Sequence, residues 1–295
     1  MEIIATSDSL FSSFLPKRNE STSKFDYGRA VLLGGSKDYG GAPLLSLASL
    51  SALRLGAGFA TLYVPEPLYS IYVGRDPQII VHPFPSKNGN FLFDSDYLGK
   101  IAKKATAIAI GMGIIGFGEC QKILEYLLGN YHGYLILDAG ALTSFAHIPN
   151  EFLSKMTCHL ILTPHMGEFS YLSGFSREEI EKEPMRYLLS YLNGKKMTVL
   201  LKGHTSYISD GKETYSSSFG NTGLAKAGSG DLLSGILCGI FAQKIEKSIP
   251  LKAAFGSYLL GKSADLLLEE ECEYSIIAED IIRVLPKVIS RCVER

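Results

Sequence analysis

Short apolar runs that stop at glycine or at a polar side chain recur along this chain, and the stretches between them carry helical periodicity; no other feature narrows the fold as far. AVLLGGS (30–36), FATLYV (59–64), ATAIAIGMG (105–113), GYLILDAGAL (133–142), CHLILTPHMGE (158–168) and TVLLK (198–202) are short and uniformly apolar, as strands covered on both faces must be. Between the first two, Pro43 opens LLSLASLSALRLGAG, which predicts a buried helix ending near Gly56 or Gly58. Strand, helix and strand in that order form a βαβ unit with a right-handed crossover. The fold class expected is therefore α/β, a mostly parallel central sheet flanked by helices. In such a sheet the carboxyl ends of the strands make the ligand edge, so Gly35, Gly113, Asp138 and His165 are expected to meet there.

The remaining segments fit the same plan. QIIVHPF offers a short strand in a section punctuated by Pro65, Pro67, Pro77, Pro83 and Pro85, and ECQKILEYLLGN reads as a helix. Ser176 followed by Glu179 is a capping box, and PMRYLLSYLNG gives a helix with Gly194 just past its end. YISDGKETY predicts a hairpin around Asp210-Gly211, a small antiparallel extension of the sheet. PLKAAFGSYLLGKSADLLLEE and a segment near Ile276 to Leu285 predict the last two helices. Residues 1–28 read as an N-terminal arm with a short helix near Leu10 to Leu15. No linker, repeat or low-complexity tract divides the chain, so one domain over residues 1–295 is expected.

Composition excludes several classes of function. Lys plus Arg number 29 against 30 for Asp plus Glu, and a net charge of −1 gives no global attraction to nucleic acid or to an anionic membrane. Any phosphate site must be local. The five cysteines are scattered without a C-x-x-C pair, which argues against a disulfide framework or a zinc site and for a reducing compartment. No apolar run reaches transmembrane length and no signal-peptide pattern opens the chain, so a cytoplasmic location is expected.

The segment with most chemical content is NTGLAKAGSGDLLSGILCGIFAQ (221–243), where a glycine-rich turn precedes a strongly periodic apolar helix. The helix is expected to begin at about Asp231, with its unpaired N–H groups and positive dipole end facing any phosphate or oxyanion held by the turn. Two roles for Asp231 stay open at this level: an N-cap that satisfies those donors, or a base that takes a proton from a substrate hydroxyl. GGSKDYGGA fits neither a P-loop nor a dinucleotide fingerprint, and IGMGIIGFGE offers only G-x-G. Lys202 at a strand exit, with Gly203, Thr205 and Ser206 beside it, is a candidate for nucleotide contact. Asp138 either binds a metal or holds a neighbouring loop.

The order of these motifs is more specific than any one of them. GGS-x(3)-G-G-A, a helix ending L-G-A-G, then I-G-x-G, L-D-A, L-T-P-H-x-G-E, L-K-G-x-T and A-G-S-G-D-x-L together resemble the NAD(P)H-hydrate dehydratase family, from about Arg29 to the C-terminal helices. The resemblance implies a ribokinase-like fold. It also implies ADP- or ATP-dependent dehydration of hydrated NADH or NADPH with Mg²⁺, by phosphorylation of the hydrate hydroxyl and elimination of phosphate. By motif position, Ala42, Gly113, His165 and Asp231 would line the hydrate site, with Asp231 as catalytic base. Lys202, Gly203, His204, Thr205, Ser206 and Gly230 would contact the nucleotide. No metal ligand is assigned. The sequence departs from the family at Met112, Met166 and Thr222, where proline is common, at Ile114-Ile115, and at Gly140, where many relatives carry a second acid. The resemblance further implies a homo-oligomer and, since only a short segment precedes the first strand, a separate hydrate epimerase as metabolic partner. The alternatives are a ribokinase-like kinase of a vitamin-precursor alcohol, which would not be expected to carry TPHMGE, and a nucleotide-binding regulator without catalysis.

Overall fold

The computed structural model describes residues 2–39, 43–115 and 117–294, the side chains of 43–47 and 150 excepted. Among the described residues twelve strands follow in chain order: β1 (Ile4–Ala5), β2 (Arg29–Leu33), β3 (Phe59–Pro65), β4 (Ile80–Phe84), β5 (Ser86–Lys87), β6 (Asn90–Phe91), β7 (Ala107–Ile110), β8 (Tyr134–Leu137), β9 (His159–Leu162), β10 (Met197–Leu201), β11 (Ser206–Ser209) and β12 (Thr214–Ser217). Ten of them form one sheet in the order β1-β12-β11-β10-β9-β8-β7-β2-β3-β4, while β5 and β6 make a separate hairpin. Every pairing in the large sheet is parallel except those of β11, which runs antiparallel to β10 and β12 and is the expected extension.

Alternation along the strands feeds two cores. Ala30 and Leu32 face one layer with Leu233, Leu237, Phe255 and Leu285, whereas Val31 and Leu33 face the other with Leu124, Leu142, Phe169 and Leu188. Helices therefore cover both faces, as the uniformly apolar strands required. The helix Ser229–Ala242 is buried at every residue from Leu232 onward, because it lies between the sheet and the helices Pro43–Arg54 and Ile249–Leu267.

Three expectations change. The first 28 residues are more than an arm: β1 adds an edge strand parallel to β12, and Phe11 and Phe14 sit in the core against Phe255. The C-terminal helix runs Ala278–Ser290, passing through Pro286 rather than stopping at Leu285. The helix after the glycine turn starts at Ser229, two residues earlier than expected.

Strand order reverses at β2, with β3 on one side and β7 on the other. In an open α/β sheet such a switch point leaves a crevice at the carboxyl ends of the strands. The loops leaving β2 and β7 are tied together there, Gly35 N–H donating to the Met112 carbonyl at 2.8 Å.

Candidate active site

Five strand exits and the glycine turn build one polar cluster on this edge. Asp138 follows β8 and is 3% exposed, and three donors hold it: the Lys202 ammonium lies 2.8 Å from Oδ1, Thr163 Oγ1 donates to Oδ1 at 2.9 Å, and Ser234 Oγ donates to Oδ2 at 3.0 Å. Ala139, the next residue, has φ 45 and ψ −122, a conformation that an L side chain adopts only under strain. Strained backbone thus aims the buried carboxylate. Lys202, one residue past β10, donates its N–H to the Pro164 carbonyl at 2.8 Å and approaches Glu168 Oε2 at 3.9 Å. Burial alone would lower its ammonium, but the charges of Asp138 and Glu168 outweigh burial and hold it above the usual lysine range.

The turn before the long helix departs from the expected geometry in an informative way. Gly228, not Asp231, is the N-cap; its φ of 101 is a left-handed conformation that glycine adopts without steric penalty, and no side chain caps the helix. Asp231 is the third residue of the helix and its side chain makes no hydrogen bond or ion pair among the described residues, so it does not cap the helix. A Cβ built on Gly230 would lie 3.5 Å from Asp138 Oδ2 and 3.6 Å from Lys202 Nζ, which puts the bare start of the helix directly against the ion pair. Burial first, then the negative charge of Asp138, push the Asp231 carboxyl up to about 6, with Lys202 pulling the other way. A carboxylate that titrates near neutrality and has no partner is suited to accept a proton.

The other predicted residues divide between contact and mere proximity. His165 caps the helix Met166–Ser173: its Nδ1 accepts from Gly167 N–H at 3.0 Å and Glu168 N–H at 3.1 Å, while Glu168 Oε2 accepts from His165 N–H at 2.8 Å. With Nδ1 accepting, the ring proton sits on Nε2, and the side chain is 61% exposed. Gly113 lies at the switch point, where its Cβ would come within 3.3 Å of Gly35 Cα. Gly203 abuts Met166, and Thr205 shares a hydrogen bond of 3.0 Å with Ser218. Ser206 begins β11, and His204 is exposed beside it. Ala42 lies outside the described residues. Sequence reasoning missed Thr163 and Ser234 as parts of the site; the signal that could have found Ser234 is a polar side chain in an otherwise apolar helix.

No three His, Cys, Asp or Glu side chains gather as a metal cage among the described residues. Asp138 already receives three donors, among them the Lys202 ammonium.

Comparison with known proteins shows the family and the fold. A family model described as NAD(P)H-hydrate dehydratase matches residues 30–287. A bifunctional NAD(P)H-hydrate repair enzyme of Dictyoglomus turgidum is 33% identical over 272 residues, covering 91% of this chain and 52% of that protein. The chain thus spans about half the length of the curated relatives it matches. Among solved structures, an ADP/ATP-dependent NAD(P)H-hydrate dehydratase of Bacillus subtilis, co-crystallised with ATP and Mg²⁺, superposes with a TM-score of 0.83 at 28% identity over 99% of both chains. A ribokinase-like superfamily protein of Enterococcus faecalis gives 0.85 at 25% identity, over 99% of this chain and 97% of that one. The fold is ribokinase-like, and the chain belongs to the NAD(P)H-hydrate dehydratase family.

Proposed function

We propose that this chain dehydrates the S form of hydrated NADH or NADPH in an ADP- or ATP-dependent reaction, returning the reduced cofactor. The observation that carries the reading is the Asp231 carboxylate, which has no hydrogen-bond or ion-pair partner among the described residues and is held near neutrality beside a bare helix start and the Lys202 ammonium. Asp231 takes the proton of the hydrate hydroxyl, whose oxygen attacks the terminal phosphorus of the nucleotide. One P–O bond forms as the bond to the departing nucleotide breaks. The phosphate then leaves with the C–O bond, and loss of a proton from the adjacent carbon restores the ring double bond.

The protein supplies position and charge for these steps. Lys202 through Ser206 and Gly230 would hold the nucleotide, with the N–H groups at Ser229, Gly230 and Asp231 turned to phosphoryl oxygens. Ala42, Gly113, His165 and Asp231 would hold the hydrate, His165 presenting a donor at Nε2. Mg²⁺ would enter on the nucleotide phosphates, where it neutralises charge, since the described carboxylates form no cage for it. A homo-oligomer in the cytoplasm, working with a hydrate epimerase, completes the reading; no helix among the described residues is long and apolar enough to cross a membrane, and four of the five cysteines are buried and free.

The test is addition of hydrated NADH, Mg²⁺ and either ATP or ADP, followed by recovery of the near-ultraviolet absorbance of reduced nicotinamide. Recovery is expected with at least one nucleotide, and kcat/KM should fall as pH drops through about 6, where Asp231 takes up its proton. Asp231→Asn should lower turnover by about 10²-fold or more while binding nucleotide. Phosphorylation of a vitamin alcohol, with no recovery under either nucleotide, would refute the reading.

A further inference from the structure

Lys202 has three carboxylates within electrostatic reach, Asp138, Glu168 and Asp231, and only one ammonium to share. It pairs with Asp138 at 2.8 Å, approaches Glu168 at 3.9 Å, and forms no ion pair with Asp231. That choice is built into the fold. Asp138 is fixed by Thr163 from the exit of β9 and by Ser234 from the helix Ser229–Ala242, so its position does not depend on Lys202. Gly230 leaves the space between the helix start and this pair open to a ligand.

We propose that Asp138 is a positioning residue for phosphoryl transfer: by engaging Lys202 it holds the ammonium beside the glycine turn, where phosphate binds, and keeps it from pairing with Asp231, which stays free as the base. The inference rests on the proposed reaction for its meaning but not for its test. A buried lysine without an anchor turns to the nearest free carboxylate, and a base locked in an ion pair is a weak base. The groups facing Asp231 are Asp138 and Lys202 from the exits of β8 and β10, Glu168 acting through Lys202, and Tyr72 from the short helix after β3, whose buried hydroxyl finds no partner among the described residues.

The partners of one ion pair should therefore move the titration of Asp231 in opposite directions. Asp138→Asn removes the negative neighbour and frees Lys202, so the Asp231 carboxyl should titrate about one unit lower or more. Lys202→Met leaves Asp138 uncompensated and should move it up. The double variant should return toward the native value. The readouts are the ¹³C carboxyl titration of Asp231, assigned by its loss in Asp231→Asn, and the acidic limb of kcat/KM in the full-length enzyme. A residue that only supported the fold would shift both variants alike or neither, and that outcome overturns the proposal. If Asp138→Asn does not fold, Lys202→Met decides alone, and absence of its upward shift is refutation. Opposite carboxyl shifts without hydrate turnover would keep the arrangement and discard the reaction.

Discussion

Gly230→Ala separates what the glycine turn does for the fold from what it does for a ligand. A Cβ at this position would sit 3.5 Å from Asp138 Oδ2 and 3.6 Å from Lys202 Nζ, which is ordinary contact, so nothing need move to admit it. Gly230 is the second residue of a helix, and alanine there forgoes the backbone freedom that glycine loses on folding, a gain of about 0.5–1 kcal/mol. For a domain of this size that is roughly 1–4 °C in Tm. The same methyl occupies the space within which a phosphoryl oxygen must sit to receive hydrogen bonds from Lys202 Nζ and the helix start at about 2.8 Å. Loss of one charge-assisted hydrogen bond is about 1.5–3 kcal/mol, which weakens nucleotide binding by roughly 10- to 150-fold. Thermal unfolding and titration calorimetry with ATP and Mg²⁺ should thus move in opposite directions. A variant that is more stable and binds nucleotide within about threefold of the native protein would mean that phosphate lies elsewhere, and the site argument would fail.

Two further perturbations test the scaffold. Lys252 is 2% exposed, with its Nζ 3.2 Å from the Tyr134 hydroxyl and 4.9 Å from the Phe241 ring centroid, and burial pushes its ammonium down to about 8. The folded state gives up this proton before the unfolded one, so stability should rise with pH from about 8 toward the ordinary lysine value of 10.5. Lys252→Met should raise stability near neutral pH by about 1–2 kcal/mol once the ring contacts are discounted, with the gain fading at high pH; thermal scans at the two pH values check it. Ala139→Gly should relieve the strain at φ 45 and stabilise the fold by about 1 kcal/mol net of glycine entropy, measured by urea unfolding, while nucleotide turnover falls as Asp138 loosens.

The sheet was legible because its strands are buried on both faces. A run such as AVLL has no other economical place, and the six runs read as strands all proved to be so, in parallel register apart from the predicted hairpin. Short helices were not legible: Gly140–Phe145 and Met166–Ser173 follow strand ends whose motifs drew the reading toward loops, and too few residues repeat to show a period. β1 escaped notice for the same reason, since two residues carry no pattern and their pairing is made with a strand more than two hundred positions away.

At the site, sequence identified which edge carries the chemistry but not who holds whom. Asp231 looked like a cap because a carboxylate before an apolar helix commonly is one, and only the left-handed Gly228 shows that the helix begins earlier and leaves Asp231 unengaged. Asp138 stood open between metal ligand and loop anchor; the geometry gives it Lys202, Thr163 and Ser234, residues 64, 25 and 96 positions away that no local motif links. The absent second acid at Gly140 also acquires a physical reason, for a Cβ there would clash with the Ile114 carbonyl oxygen. This chain packs its β7 exit loop against that position. A single buried carboxylate that both anchors the lysine and raises its neighbour's affinity for a proton leaves the corner sensitive to one substitution, and that is why the opposite responses of Asp138→Asn and Lys202→Met should be large enough to measure.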